Sequence, residues 1–348
     1  PPANARDAAN PRPSPDAYFV TATRLPDVNY FGNRHHIVDS HFLRQFGHYL
    51  VDTLLDTFRD RCRSLDAIKG TELEKMHAFF AAIGSEFEIS IVTLNYDDIA
   101  YRTMPGIETG FDSDGRFSDE RIVLRRNWPC ILHLHGSVHF DMRDDYRNFM
   151  GFGGFHDIHW QSDLSQQFNQ NASGRSSLQT VEGPDFPTSS IVAGYGKTTQ
   201  LLRRPFRIYF GELDRLVAQC DAAMFLGYGF SDFHFNFAFE KFRDRRLRPV
   251  VVIDLAPDTA MNAHGIEQAG EHKTVTTVLG LFRTNKTMMS SLGHRIPNTV
   301  GGLKEALEFE ISDDPNTPLA IWYNGLLPAC NNVEKVLARL RPNPNPKG

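Results

Sequence analysis

The chain has 348 residues, 41% hydrophobic and 23% charged. It is long enough to bury a full core as one large domain or two smaller ones, which excludes the disordered and fibrous classes. Thirty-seven Lys and Arg against 42 Asp and Glu leave a formal charge of -5, so there is no global basic field and no direct nucleic-acid partner is predicted.

Residues 1–16 hold five of the 20 prolines together with Ala, Asn and Ser, and read as a disordered lead-in. From His41 to Phe58 apolar residues recur at spacings of three and four, which predicts a helix. A second helix is predicted from Thr71 to Ile83, with Thr71 as N-cap, Glu74 at the capping-box spacing and Gly84 at its end. Four short apolar runs then read as buried strands: Ile89–Leu94, Cys130–Leu134, Ala222–Leu226 and Pro249–Asp254. Helical stretches such as Leu213–Gln219 separate them. The resulting prediction is an α/β fold: a Rossmann-like, mostly parallel sheet with helices on both faces. In such sheets the ligand crevice lies at the carboxyl ends of the strands.

Between about Asp141 and Ser190 the chain is rich in Gly, Asn, Gln, Ser and Asp without a sustained period, and a helical or irregular insertion is predicted there. Phe233, Phe235, Phe237 and Phe239 alternate with period two, yet a helix sandwiched between two layers explains them equally well and is the preferred reading. The expected organisation is a main domain over 17–260, a C-terminal extension of unassigned role over 261–340 and a flexible tail over 341–348. The extension offers a strand candidate at 273–278 and a helix candidate at 302–309. No apolar stretch approaches the ~20 residues that span a bilayer, and the first residues show no basic segment followed by an apolar one. No membrane partner is expected, and the location expected is the cytoplasm.

The strand tips gather Asn95, Asp97, His135, Gly227, Gly229, Ser231, Asp232 and Asp254 on one predicted sheet edge. Gly227-Tyr228-Gly229 admits a ligand close to the backbone, since glycine brings no Cβ to clash. Ser231 or Asp232 is placed to cap the next helix. If Asp232 caps, its charge favours a ribose or nicotinamide neighbour over a phosphate. His133 and His135 form an H-x-H on one strand face without further ligands at metal spacing, so no metal site is predicted. His135 gains weight from Asn95 and Asp97 on the neighbouring strand and from Gly136, which lets the chain turn. A neutral imidazole there can take a proton from water or a ribose hydroxyl.

Four motifs in this order resemble the sirtuin superfamily, and more closely its prokaryotic sirtuin-like branch of anti-phage defence. They are Thr93-Leu94-Asn95-Tyr96-Asp97-Asp98, Leu132-His133-Leu134-His135-Gly136-Ser137, Gly194-Tyr195-Gly196-Lys197-Thr198 and Gly227-Tyr228-Gly229-Phe230-Ser231-Asp232-Phe233-His234-Phe235-Asn236. The resemblance implies a domain that binds NAD and breaks the bond between nicotinamide and ribose, releasing nicotinamide and ADP-ribose. Asn95 and His135 match the catalytic Asn and His. Thr93, Asp97, Gly136, Gly227, Tyr228, Gly229, Ser231, Asp232, His234, Asn236 and Asp254 match positions around the cofactor. It also implies a homo-oligomer, or a complex with a sensor protein of the same defence system.

Two departures from the family pattern shape the expectation. Deacylating sirtuins carry a four-cysteine zinc ribbon, whereas Cys62, Cys130, Cys220 and Cys330 form no C-x-x-C unit. Zinc is therefore not expected, and hydrolysis by water is favoured over acyl-lysine removal. The family also opens with a Gly-Ala-Gly-x-Ser phosphate loop, but the glycines before Gly84 are Gly32, Gly47 and Gly70, none in a G-x-G. Either that loop belongs upstream of Pro1, in keeping with the missing initiator Met, or the chain lacks the usual pyrophosphate cradle and acts as an NAD or ADP-ribose binding module.

Overall fold

A computed structural model describes residues 40–124, 129–144, 156–169, 172–180, 183–192, 200–230, 232–240, 248–255, 296–312 and 318–342. In chain order the helices are α1 (Ser40–Arg63), α2 (Leu65–Gly84), α3 (Ile99–Thr103), α4 (Asp119–Val123), α5 (Phe206–Gln219), α6 (Phe233–Glu240), α7 (Ile296–Ala306), α8 (Leu326–Cys330) and α9 (Val333–Leu340). The strands are β1 (Ile91–Thr93), β2 (Ile131–His133), β3 (Phe140–Asp144), β4 (His156–Trp160), β5 (Ala172–Thr180), β6 (Gly183–Ser189), β7 (Ala223–Leu226), β8 (Val250–Ile253), β9 (Glu310–Ile311) and β10 (Leu319–Trp322). The chain is mixed α/β and divides into two compact units, one drawn from Pro1–Ile68, Ile91–Tyr101 and Ile107–Phe210, the other from Lys69–Ser90, Arg102–Gly106 and Gly211–Gly348.

In the first unit β1 and β2 pair in parallel, with Ile91 opposite Ile131, Val92 opposite Leu132 and Thr93 opposite His133. A parallel pair needs a crossover, supplied by the segment that contains α3 and α4. Helix α1 packs Val51 and Leu55 on Ile191 and Tyr96, and sets Cys62 and Phe58 against Val138 and Leu164. The interval from 141 to 190 corrects the expectation of a helical or irregular insertion. Its described residues form two antiparallel hairpins, β3–β4 and β5–β6, with turns over 161–169 between them, and β5–β6 is irregular in register. In β3–β4 Phe140 faces Trp160 and Met142 faces Ile158, an apolar alternation too short to stand out from the polar interval, whereas β5–β6 are polar and show no sustained alternation.

In the second unit the strand order is β7-β8-β10-β9, with β9 antiparallel at the edge and the other three parallel. Met224, Leu226, Val251, Ile253, Ala320 and Trp322 share one core with Phe79, Phe80 and Ile83 of α2 and Val336, Leu337 and Leu340 of α9. Phe225, the odd residue of β7, meets Phe239 of α6 instead, at 5.0 Å between ring centroids. Alternate strand residues therefore bury against helices on opposite faces, which is why β8 and β10 read as unbroken apolar runs.

All four predicted strands are present, but among the described residues they form two hydrogen-bonded groups, not one continuous sheet. Two helical pieces meet in α2, the second starting close to the predicted Thr71, but Thr71 is not its N-cap. The backbone breaks from helical geometry at Lys69 instead, just ahead of Gly70 and the capping-type sequence. Helix α6 is a helix as expected but is not sandwiched: Phe235 and Phe239 are buried, whereas Phe237 is 48% exposed. The strand candidate at 273–278 lies outside the described residues. The helix candidate at 302–309 overlaps α7, which ends at Ala306.

Candidate functional site

The sequence-derived site residues fall into both units. Thr93, Asn95, Asp97, His135 and Gly136 belong to the first. Gly227, Tyr228, Gly229, Asp232, His234, Asn236 and Asp254 belong to the second. Ser231 and the motif Gly194–Thr198 lie outside the described residues.

In the first unit, the paired residues Thr93 and His133 set Asn95 and His135 at equal offsets beyond two adjacent strand ends. The two turns stay joined past the strands: the Leu134 N–H donates to the Thr93 carbonyl at 3.0 Å, and the Val138 N–H to the Tyr96 carbonyl at 2.7 Å. Thr93 Oγ1 accepts from the Asn95 N–H at 3.1 Å, fixing the first turn and leaving the Asn95 residue exposed. Asp97 Oδ1 accepts from the Ile99 N–H at 3.1 Å at the start of α3, and burial pushes this carboxyl above its ordinary range. The neighbouring Asp98 is buried, 3.9 Å from His139 Nε2.

His135 is 8% exposed. Its carbonyl accepts from the Val192 N–H at 2.7 Å. Gly136 then turns with φ +106, and a Cβ there would lie 2.6 Å from the Ser190 carbonyl oxygen. Its lack of a side chain thus serves packing against 190–191. His133 does not share the His135 environment, because β2 ends at His133 and the chain turns. Its ring is fully buried against Phe140 and Trp160, with no hydrogen-bond partner on either nitrogen. Burial pulls it down to about 3, so it stays neutral and packs as an aromatic ring.

The second unit builds a turn at the end of β7. The Gly227 N–H donates to the Ile253 carbonyl at 2.8 Å, extending the strand ladder. Gly227 then takes φ +59, and Phe230 takes φ 53, a left-handed conformation rare for a bulky residue. Three side chains hold this shape. Asp232 Oδ1 caps α6 by accepting from the Phe235 N–H at 3.0 Å. The Tyr228 hydroxyl donates to Asn236 Oδ1 at 2.7 Å, and Asn236 Nδ2 donates to the Phe230 carbonyl at 2.9 Å. Burial pushes the Tyr228 phenol well above its ordinary value.

Gly227 and Gly229 are exposed, and a Cβ at either would meet no heavy atom within 4 Å. The turn thus offers an open backbone ledge, with Tyr228, Asp232 and Asn236 engaged in holding it. His234 is half-buried on α6. Asp254 Oδ1 accepts from the Leu255 N–H at 2.8 Å, and its carbonyl accepts from the Gly325 N–H at 2.8 Å.

The family model described as a SIR2-like domain matches residues 89–275, more than half of the chain. The chain belongs to the SIR2-like domain family. Domains of this family bind NAD and are usually NAD-dependent enzymes, so an NAD-related function follows. No curated protein matches the chain. The SIR2-like span takes in both turns that carry the candidate residues. All four cysteines are free thiols, Cys62 and Cys130 buried and Cys220 and Cys330 partly so. Among the described residues no group of three or more His, Cys, Asp or Glu is arranged to hold a metal ion, and no helix is long and apolar enough to cross a membrane.

Sequence reading missed the residues that hold the first turn pair from behind. Tyr96 donates its hydroxyl to the Val192 carbonyl at 3.2 Å, and Arg59 reaches the carbonyls of Val138 and Phe140. Tyr96 lay inside a quoted motif, whereas nothing in an amphipathic helix marks one arginine as buried.

Proposed function

We propose that the chain is an NAD+ glycohydrolase, cleaving the nicotinamide–ribose bond with water to give nicotinamide and ADP-ribose. One observation carries the reading: within a SIR2-like chain, the residues matching the family's Asn and His lie two positions beyond the ends of two adjacent, parallel, mutually hydrogen-bonded strands.

In this reading the C–N bond breaks with its electron pair leaving on nicotinamide, and positive charge develops at the anomeric carbon. The exposed Asn95 amide orients the water or the ribose hydroxyls. His135 takes the proton that the attacking water sheds, a task suited to an imidazole near neutral pH. NAD+ and water thus give nicotinamide, ADP-ribose and one H+, the proton that His135 takes up and then releases to solvent. Thr93, Asp97 and Gly136 fix the turns that present these two groups. The ledge at Gly227 and Gly229 receives the dinucleotide through its backbone, with Tyr228, Asp232 and Asn236 holding the ledge. Ser231, His234 and Asp254 supply polar contacts, Asp254 to a ribose hydroxyl as acids at strand ends do in dinucleotide folds. Activity in a bacterial anti-phage system, as a homo-oligomer or with a sensor protein, is the setting that fits an NAD-depleting enzyme.

Incubation of the purified chain with NAD+, followed by mass spectrometry, is expected to show nicotinamide release that Asn95→Ala and His135→Ala each reduce by about a hundredfold or more. Release unchanged in both variants would remove the assigned roles. A second reading, a module that binds NAD or ADP-ribose without turnover, draws on Gly47 and Gly70 lying inside α1 and α2, where neither forms a phosphate loop. Saturable NAD+ binding without nicotinamide release would favour it.

A further inference from the structure

We propose that Arg59 is a positioning residue for the candidate site, fixing the turn that presents His135; the proposal rests on the reading of that site given above. Arg59 lies on α1, outside the residues 89–275 that the family shares. It is only 1% exposed. Nε donates to the Val138 carbonyl at 2.9 Å and Nη2 to the Phe140 carbonyl at 3.0 Å. The guanidinium carbon stands 3.5 Å from the centre of the Phe168 ring.

Burying a charge is costly unless hydrogen bonds and nearby charge compensate it. One carboxylate in contact, Asp56 at 3.3 Å, is itself 67% exposed and so is well screened. Buried Asp141 adds a more distant attraction, and the net effect of burial still draws the guanidinium down to about 10. Packing alone does not call for this residue, because Val51, Leu55, Phe58 and Cys62 already seat the helix. The guanidinium fork instead matches two carbonyls of one turn, which a lysine ammonium cannot span in fixed geometry.

From Val138 a chain of hydrogen bonds runs to the residue after Asn95 and on to the backbone carbonyl of His135. The Val138 N–H donates to the Tyr96 carbonyl, next to Asn95, and the Tyr96 hydroxyl donates to the Val192 carbonyl. The Val192 N–H in turn donates to the carbonyl of His135. Arg59 thus anchors the far side of the same backbone network that sets the imidazole and the amide.

The test uses the full chain with Arg59→Met, Arg59→Lys and, as control, Arg61→Ala on the exposed side of α1. Nicotinamide release is measured well below each variant's unfolding midpoint. The imidazole resonance of His135 is followed over pH in histidine-labelled protein and assigned by its loss in His135→Ala. Both Arg59 variants are expected to lower kcat by about tenfold or more with KM within about twofold, and to move the His135 resonance; Arg61→Ala is expected to do neither. Folded Arg59 variants with the wild-type His135 resonance and kcat would overturn the proposal. Should Arg59→Met not fold, Arg59→Lys, which keeps the charge and most of the packing, decides. If the wild-type chain releases no nicotinamide, the hydrolase reading fails while the resonance still decides the role of Arg59: a shift supports it and an unmoved resonance overturns it.

Discussion

Gly136, Gly227 and Gly229 are all glycines of the quoted motifs, but their surroundings assign them different work. At Gly136 a Cβ would press on the Ser190 carbonyl oxygen at 2.6 Å and the Ile191 Cα at 2.9 Å, in a backbone conformation with φ +106. Gly136→Ala is therefore expected to cost about 2 kcal/mol or more of stability, measured by urea unfolding. At Gly229 the same added carbon meets nothing within 4 Å. Gly229→Ala is expected to leave stability within about 0.5 kcal/mol yet weaken NAD+ binding by about tenfold in calorimetry, because the ledge is where the ligand would come close. Wild-type affinity in that variant would move the ligand off the ledge. The G-x-G pattern is legible in sequence, but the neighbour each missing Cβ would strike is not, since Ser190 and Ile191 are far from Gly136 along the chain.

At the scale of elements, β2 shows what burial does to a residue type. His133 sits in a three-residue strand buried throughout, and its lowered value of about 3 means that the unfolded chain binds a proton the folded chain refuses. Its contribution to stability is intact above the unfolded value near 6.5 and is lost as pH falls from there toward 3. Between pH 6.5 and 5 this loss amounts to ~2 kcal/mol. His133→Phe, which removes the proton site and keeps an aromatic ring, is expected to lose that much less stability over the same interval in urea titrations. Equal pH dependence in the two proteins would mean that His133 accepts its proton in the folded state.

Elements defined by unbroken apolar runs, β1, β2, β7 and β8, were legible because β-branched and aliphatic density is a local property. The hairpin β5–β6 was not, since pairing rather than composition makes its polar segments strands, and in β3–β4 the alternation of Phe140 and Met142 with Ile158 and Trp160 is too short to stand out from its polar surroundings. The four-residue β10 is an unbroken apolar run as well, but a run as short as Leu319–Trp322 is ambiguous between strand and buried helix until its place between β8 and β9 is known. Thr71 carries a true local signal: a helix does start there, with the non-helical residue ahead of it at Lys69 rather than at Thr71 itself.

At the scale of the whole molecule, the order of motifs along the chain conveys the family without any pairing, because the motifs at Thr93, Leu132 and Gly227 each mark a strand end and the turn that leaves it. What the order could not convey is which strands share hydrogen bonds, a non-local matter that here separates β1–β2 from β7–β8–β10. Nor could it convey that α1, upstream of the SIR2-like span, packs behind the Asn95 and His135 turns through Tyr96, Val138 and Ile191. The candidate site is thus read in two steps: motif residues from sequence, and the residues that hold them from structure.

The central claim, that water is the acceptor when the nicotinamide bond breaks, is tested most directly by carrying out the reaction in heavy-oxygen water and weighing the products. The account predicts equal amounts of nicotinamide and ADP-ribose, with one heavy oxygen in each ADP-ribose and both products lost in Asn95→Ala and His135→Ala. Unlabelled or cyclic ADP-ribose, or NAD+ recovered intact, would contradict it.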